Sequence, residues 1–194
     1  SSIKPLHILQ FAVMSSAYLK VTENIKNPKI ALLNIGKEET KGNNLTINSY
    51  PLLKKHIPNF IGNIESRDIF NNKADIILCD GFTGNIVLKL IEGIIKKLTS
   101  RTLSKINKNQ SELNKNNTLK PFLKDIQKTY DYEEHGGTLL LGINGIVMKC
   151  HGSSNDKAIE NALDKTYSSI KSNLIKNINK AILDTPQLYK ESVN

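Results

Sequence analysis

Tryptophan is absent from this chain, aromatic residues make up only 6%, and arginine occurs only as Arg67 and Arg101. Nucleic-acid readers lean on arginine forks and on aromatic faces that stack with bases, so a nucleic-acid partner is disfavoured. No apolar run approaches the roughly 20 residues needed to span a bilayer. The two cysteines, Cys79 and Cys150, each close an apolar run and lie far apart. They make neither a metal cluster nor a disulfide framework, and free buried thiols suit a reducing cytosol. No His, Cys, Asp and Glu group has metal-ligand spacing, so no metal ion or cofactor is expected. There is no P-loop and no serine nucleophile elbow. No secretory leader opens the sequence, and position 1 is Ser1 rather than methionine. A processed, engineered or truncated N-terminus is therefore expected, in a cytoplasmic protein.

What the chain does have is lysine. The net charge is +9 over 194 residues, with 39% hydrophobic and 23% charged residues. This composition is globular and long enough for one domain with a sizeable core, or one plus an appendage. A basic surface attracts acidic partners, although the same lysines also read as a solvated coat.

Apolar residues Leu6, Leu9, Val13 and Ala17 recur at helical spacing, which predicts a helix over 5–21. Short apolar runs predict strands at 29–35, 60–64 and 76–79, with a helix over 44–55 between the first two. Strands alternating with helices point to βαβ units and a parallel sheet. A longer helix is expected from Thr83 to about Lys105, then a polar tip over 105–117 and a second helical arm over 119–132. Together these make a helical hairpin, 83–132, projecting from a single α/β unit that spans 1–194. Strands at 138–141 and 146–150 flank a glycine turn, and one closing helix covers 155–183.

Three polar loops follow strands. Gly36 to Asn43 is charged and glycine-bounded, Asp80-Gly81-Phe82-Thr83-Gly84-Asn85 is a glycine-hinged turn, and His151-Gly152-Ser153-Ser154 is the third. Glycines let the backbone approach a ligand, Thr83 is expected to cap the next helix, and a helix N-terminus attracts anions. In a parallel sheet all three loops would leave one edge and converge on one ligand. Lys41 offers a cation and Asn85 an amide, which suits a phosphate or a developing oxyanion. The loops also supply Gly42, Asn43, Asp80, Gly81, Thr83, Gly84, His151, Ser153 and Ser154 as candidate substrate and phosphate contacts. On spacing alone, Lys41 equally reads as a surface lysine, Asn85 as a first-turn polar residue and His151 as a structural histidine.

Several segments carry a resemblance. Lys4-Pro5-Leu6-His7 with Gln10 to Met14, Leu32 to Gly36 with Glu38-Glu39, and Lys41-Gly42-Asn43 are the first three. Asn59 to Glu65 with Arg67-Asp68, Ala74-Asp75, Asp80 to Asn85, Gly136-Gly137 and Lys149 to Ser154 follow in order. This set resembles the phosphate acyltransferases of bacterial phospholipid synthesis over nearly the whole chain. The resemblance implies transfer of a fatty acyl group from acidic acyl carrier protein to inorganic phosphate. It implies an isocitrate/isopropylmalate-dehydrogenase-like three-layer fold, a homodimer, and peripheral docking on membranes through the hairpin. It also implies that Lys41 and Asn85 are the active-site lysine and asparagine. The family's G-G-D and S-A-G-N-T-G-A motifs are absent, so the sequence reads as the C-terminal part with the N-terminal part missing. The hairpin tip is more polar than a membrane-inserting tip.

Two other readings stay open. His151 to Ser154 also resembles the nucleotide loop of decarboxylating hydroxy-acid dehydrogenases, although the carboxylate pair and clamping arginines of those enzymes are not found. The alternative outside enzymology is a non-catalytic module that binds acyl carrier protein or membrane.

Overall fold

The computed structural model describes residues 3–108, 121–123, 125–126, 136–186 and 188. The fold is mixed α/β, and the elements run α1 (Pro5–Thr22), β1 (Ile30–Leu33), α2 (Asn44–His56), β2 (Phe60–Ile64), a 3-10 turn (Ser66–Asp68), β3 (Ile76–Leu78) and α3 (Gly81–Lys108). An antiparallel pair follows, β4 (Thr138–Leu139) and β5 (Met148–Lys149), and then α4 (Asp156–Lys171) and α5 (Leu174–Leu183). Residue contacts divide the chain into two compact units: Ser1–Asp80, Leu140–Val147 and Thr166–Asn194 form one, and Gly81–Leu139 with Met148–Lys165 form the other.

The first unit is built on a three-stranded parallel sheet of order β2-β1-β3. All four residues of the central strand β1 are buried. That is why its sequence shows no alternation: a parallel strand covered on both faces is apolar throughout. Pro5 opens α1 at a position that needs no N–H, and the Lys4 N–H donates to His7 Nδ1 at 3.1 Å. Ile8, Leu9, Ala12 and Val13 of α1 meet Ile30 and Leu32 of β1, with Leu53, Ile57, Ile76 and Leu78, in one core. The buried face of α1 is therefore wider than the stripe expected from spacing, taking in Ile8 and Ala12, while Leu6 packs at its margin. Helices α5 and α2 both pack on α1. The link from β2 to β3 holds only the 3-10 turn rather than an α-helix. Asp75 ties its end to the sheet, accepting the Lys29 N–H on Oδ2 at 2.6 Å.

In the second unit Gly136 has φ +71, and a Cβ there would lie 2.5 Å from Ala162 N and 2.8 Å from Ala158 O. Only glycine lets the backbone come this close to α4, whose Ala158 and Ala162 are buried. The expected closing helix over 155–183 is two helices. Asn173 stands at φ 52 between them, a left-handed conformation that asparagine tolerates, and the turn lets Leu174 and Ile178 of α5 become buried. The hairpin is described only in part. Its first arm is α3, residues 121–123 and 125–126 are helical, and residues 109–120 and 127–135 lie outside the described residues.

Candidate functional site

The Gly36–Asn43 loop leaves the carboxyl end of β1 and is held by side chains from several elements. Asn34 Nδ2 donates to the Lys41 carbonyl at 2.8 Å, and Asn34 Oδ1 accepts the Ile35 N–H at 2.8 Å. Asn63, buried inside β2, donates from Nδ2 to the Glu38 carbonyl at 3.0 Å. Lys54 Nζ reaches Glu39 Oε1 at 2.7 Å and holds that carboxyl below its ordinary value. Gly42 has φ +104, and a Cβ there would collide with Asn34 Oδ1 and Thr46 Oγ1, so this position admits only glycine. Asn43 Oδ1 accepts the Thr46 N–H at 3.0 Å, which caps α2. Among the described residues the Lys41 ammonium is in no ion pair, and its side chain is exposed. The loop is thus rigidly shaped around a lysine that remains available to a ligand.

Asp68, only 5% exposed, anchors the same sheet edge. Its Oδ1 accepts from Lys73 Nζ at 2.8 Å and Asn71 Nδ2 at 3.0 Å, and its Oδ2 lies 3.9 Å from Lys37 Nζ of the loop. The hydrogen bond from Lys73, with those from Asn71 and the two lysine charges, holds its carboxyl below the usual value despite burial. A carboxyl with a depressed folded pKa adds stability above its unfolded pKa and loses it as pH falls through the folded one. Asp68→Asn should therefore lower the unfolding midpoint at pH 7. The gap to the parent should close as thermal melts are taken into the acid range; a gap that persists there would point to lost packing instead.

The glycine-hinged turn differs from expectation. Helix α3 begins at Gly81, so Asp80, not Thr83, occupies the position before the first helical residue. Thr83 and Gly84 fall in the first turn, and Asn85 stands directly behind it, exposed. Short acidic side chains suit that preceding position, because they complement the positive helix end. Burial pushes the Cys79 thiol up, and the neighbouring Asp80 carboxylate adds to it. Cys79 is therefore a poor nucleophile at neutral pH.

The third loop corrects the expected convergence on one sheet edge. His151 to Ser154 follows β5, a strand of the antiparallel pair and not of the parallel sheet. His151 Nδ1 accepts the Ser153 N–H at 3.2 Å and lies 2.7 Å from Ser153 Oγ. Ser154 N–H donates to the His151 carbonyl at 3.1 Å, and the buried Ser154 Oγ has no hydrogen-bond partner among the described residues. The carboxyl ends of β1 and β3 do share an edge, because those strands are parallel neighbours within the first unit. Lys41, Gly42, Asn43 and Asp80 belong to the first unit, and Gly81, Thr83, Gly84, Asn85, His151, Ser153 and Ser154 to the second.

Sequence reasoning missed Asn34, Asn63 and Asp68 as the residues that shape the Lys41 loop. The signal was present for Asn63: a polar side chain within a short apolar strand is buried and needs a partner. Among the described residues no group of three His, Cys, Asp or Glu side chains is placed to hold a metal ion. No described helix is long and apolar enough to cross a membrane.

Comparison with known proteins gives consistent matches. The phosphate acyltransferase of Desulfitobacterium hafniense is 47% identical over 180 residues, covering 92% of this chain and 54% of that protein. The phosphate acyltransferase of Heliobacterium modesticaldum is 46% identical over 177 residues, covering 90% and 52%. That of Clostridium tetani is 41% identical over 186 residues, covering 96% and 56%. The chain spans about half the length of these curated relatives. Residues 1–177 match the family model described as fatty acid synthesis protein, and the chain belongs to that family.

Proposed function

We propose that this chain is part of an enzyme that transfers a fatty acyl group from acyl carrier protein to inorganic phosphate. The carrying observation is the Lys41 loop, shaped by Asn34, Asn63 and the Gly42 conformation around a lysine in no described ion pair. The kinship with phosphate acyltransferases supports the same reading. A phosphate oxygen attacks the thioester carbonyl carbon. The C–O bond forms, the tetrahedral oxyanion collapses, the C–S bond breaks, and the carrier leaves as a thiol once its sulfur is protonated. Lys41 neutralises phosphate or the oxyanion, and Asn85 orients one of them; neither forms a covalent intermediate. The N-terminus of α3 would favour the anion further. The net charge of +9 suits an acidic carrier protein. The dehydrogenase-like arrangement of the sheet and peripheral docking on a membrane are part of this proposal.

The test uses the full gene product, acylated carrier protein and phosphate. Thioester consumption that requires phosphate and yields acyl phosphate supports the reading. Carrier binding without turnover favours the non-catalytic module, and tight binding of a nicotinamide cofactor favours the dehydrogenase.

We also place a homodimer contact on α3. Phe82, Ile86, Leu90, Ile94 and Leu98 recur at four-residue spacing, and all are about half exposed or more, Phe82 at 77%. A twofold copy of the hairpin would bury this stripe in a four-helix arrangement. Leu90→Asp should give monomers by sedimentation, with the helical signal retained. A folded dimer that tolerates the charge puts the contact elsewhere.

A further inference from the structure

At the opposite end of the sheet from the Lys41 loop lies a cleft of about 670 Å³. Ile30, the first residue of β1, and Pro58 and Asn59, just before β2, mark it as the amino edge. Its wall is apolar where α1 and α5 contribute Val13, Ala17, Val21 and Ala181, with Ile57 beside them. Lys20, Lys26 and Lys180 also line it, against a single carboxylate among the described residues, Asp184. Among the described residues none of these lysines is held in an ion pair. The volume is within the range of about 300–1,000 Å³ typical of small-molecule sites.

We propose that this cleft binds a single-chain anionic amphiphile, an alkyl chain ending in a phosphate or carboxylate. The two halves of the argument are independent. The apolar part of the lining favours a hydrocarbon segment, which a free inorganic anion lacks. Three lysines against one carboxylate favour an anionic head, and lysine stems can lie along apolar surface while the ammonium stays in water. A peptide strand is a poorer fit, because β1 is paired on both sides and the Ile30 N–H already donates to the Asn59 carbonyl at 3.0 Å. The site is separate from the Lys41 loop, so it stands whether or not the proposed reaction does.

The probe is dodecyl phosphate, titrated calorimetrically below its micelle concentration into the full gene product with excess inorganic phosphate present. Saturable binding is expected, unchanged by Lys41→Ala. Replacing Lys20 and Lys180 together by Glu should weaken it about tenfold or more, because two attractive charges beside the anionic head become repulsive. Lys176→Glu, on α5 but not in the cleft, should leave it unchanged. Should the Glu pair fail to fold, Lys20→Gln with Lys180→Gln provides the same comparison. Absence of binding, equal binding of uncharged dodecanol, an equal loss with Lys176→Glu, or association only with anionic vesicles would each overturn the proposal.

Discussion

Lys41→Ala is expected to lower acyl phosphate formation about a hundredfold, the scale found when one preorganised electrostatic contact to a developing charge is removed. The loop geometry makes this a clean experiment. Asn34, Asn63 and Asn43 act on the loop backbone or cap α2, and none of them bonds the Lys41 side chain. Truncating an exposed side chain should therefore leave the unfolding midpoint close to that of the parent. Lys41→Arg is expected to recover only part of the rate, because a planar fork replaces a compact ammonium. The measurement is steady-state turnover with acylated carrier protein at varied phosphate, alongside a denaturation curve. Near-normal turnover in a folded variant would return Lys41 to the solvated lysine coat.

Leu32→Ala should destabilise the first unit by about 3 kcal/mol or more, as large-to-small changes at closed core sites do. Leu32 is 1% exposed at the centre of the central strand, between α1 and the flanking strands. The wall around it is β-sheet backbone and helix α1, which cannot collapse into the space left behind. Set against a typical total of about 5–15 kcal/mol, the loss should shift a urea unfolding midpoint visibly with little change in slope. Ile35→Ala, three residues on and 79% exposed, should stay within about 0.5 kcal/mol of the parent. Equal effects at the two positions would contradict the core assignment.

Individual elements of the site were legible in the sequence to different degrees. The Lys41-Gly42-Asn43 segment was readable as a glycine-hinged loop following a strand, because glycine and asparagine favour turns. Gly42 indeed adopts a positive φ, although Asn43 uses its side-chain oxygen to cap α2. The start of α3 was misplaced because Thr83 and Asp80 are both good residues for the end of a helix, and spacing alone does not choose between them. The break at Asn173 was hidden because apolar periodicity continues on both sides of it.

Local chemistry determined what the sequence determined alone: Pro5 starting α1, the unalternating apolar run of β1, and the strand Phe60–Ile64. Each depends on one residue's own conformational limits or on simple period counting, so neighbours in the chain suffice. The tertiary structure decided which strands share a sheet. It paired β5, the strand before His151, with β4 rather than with the parallel sheet, and it brought Asn63 and Asp68, remote in sequence, against the Lys41 loop. Those outcomes depend on where buried polar groups find partners across the chain, a long-range condition that no local pattern carries.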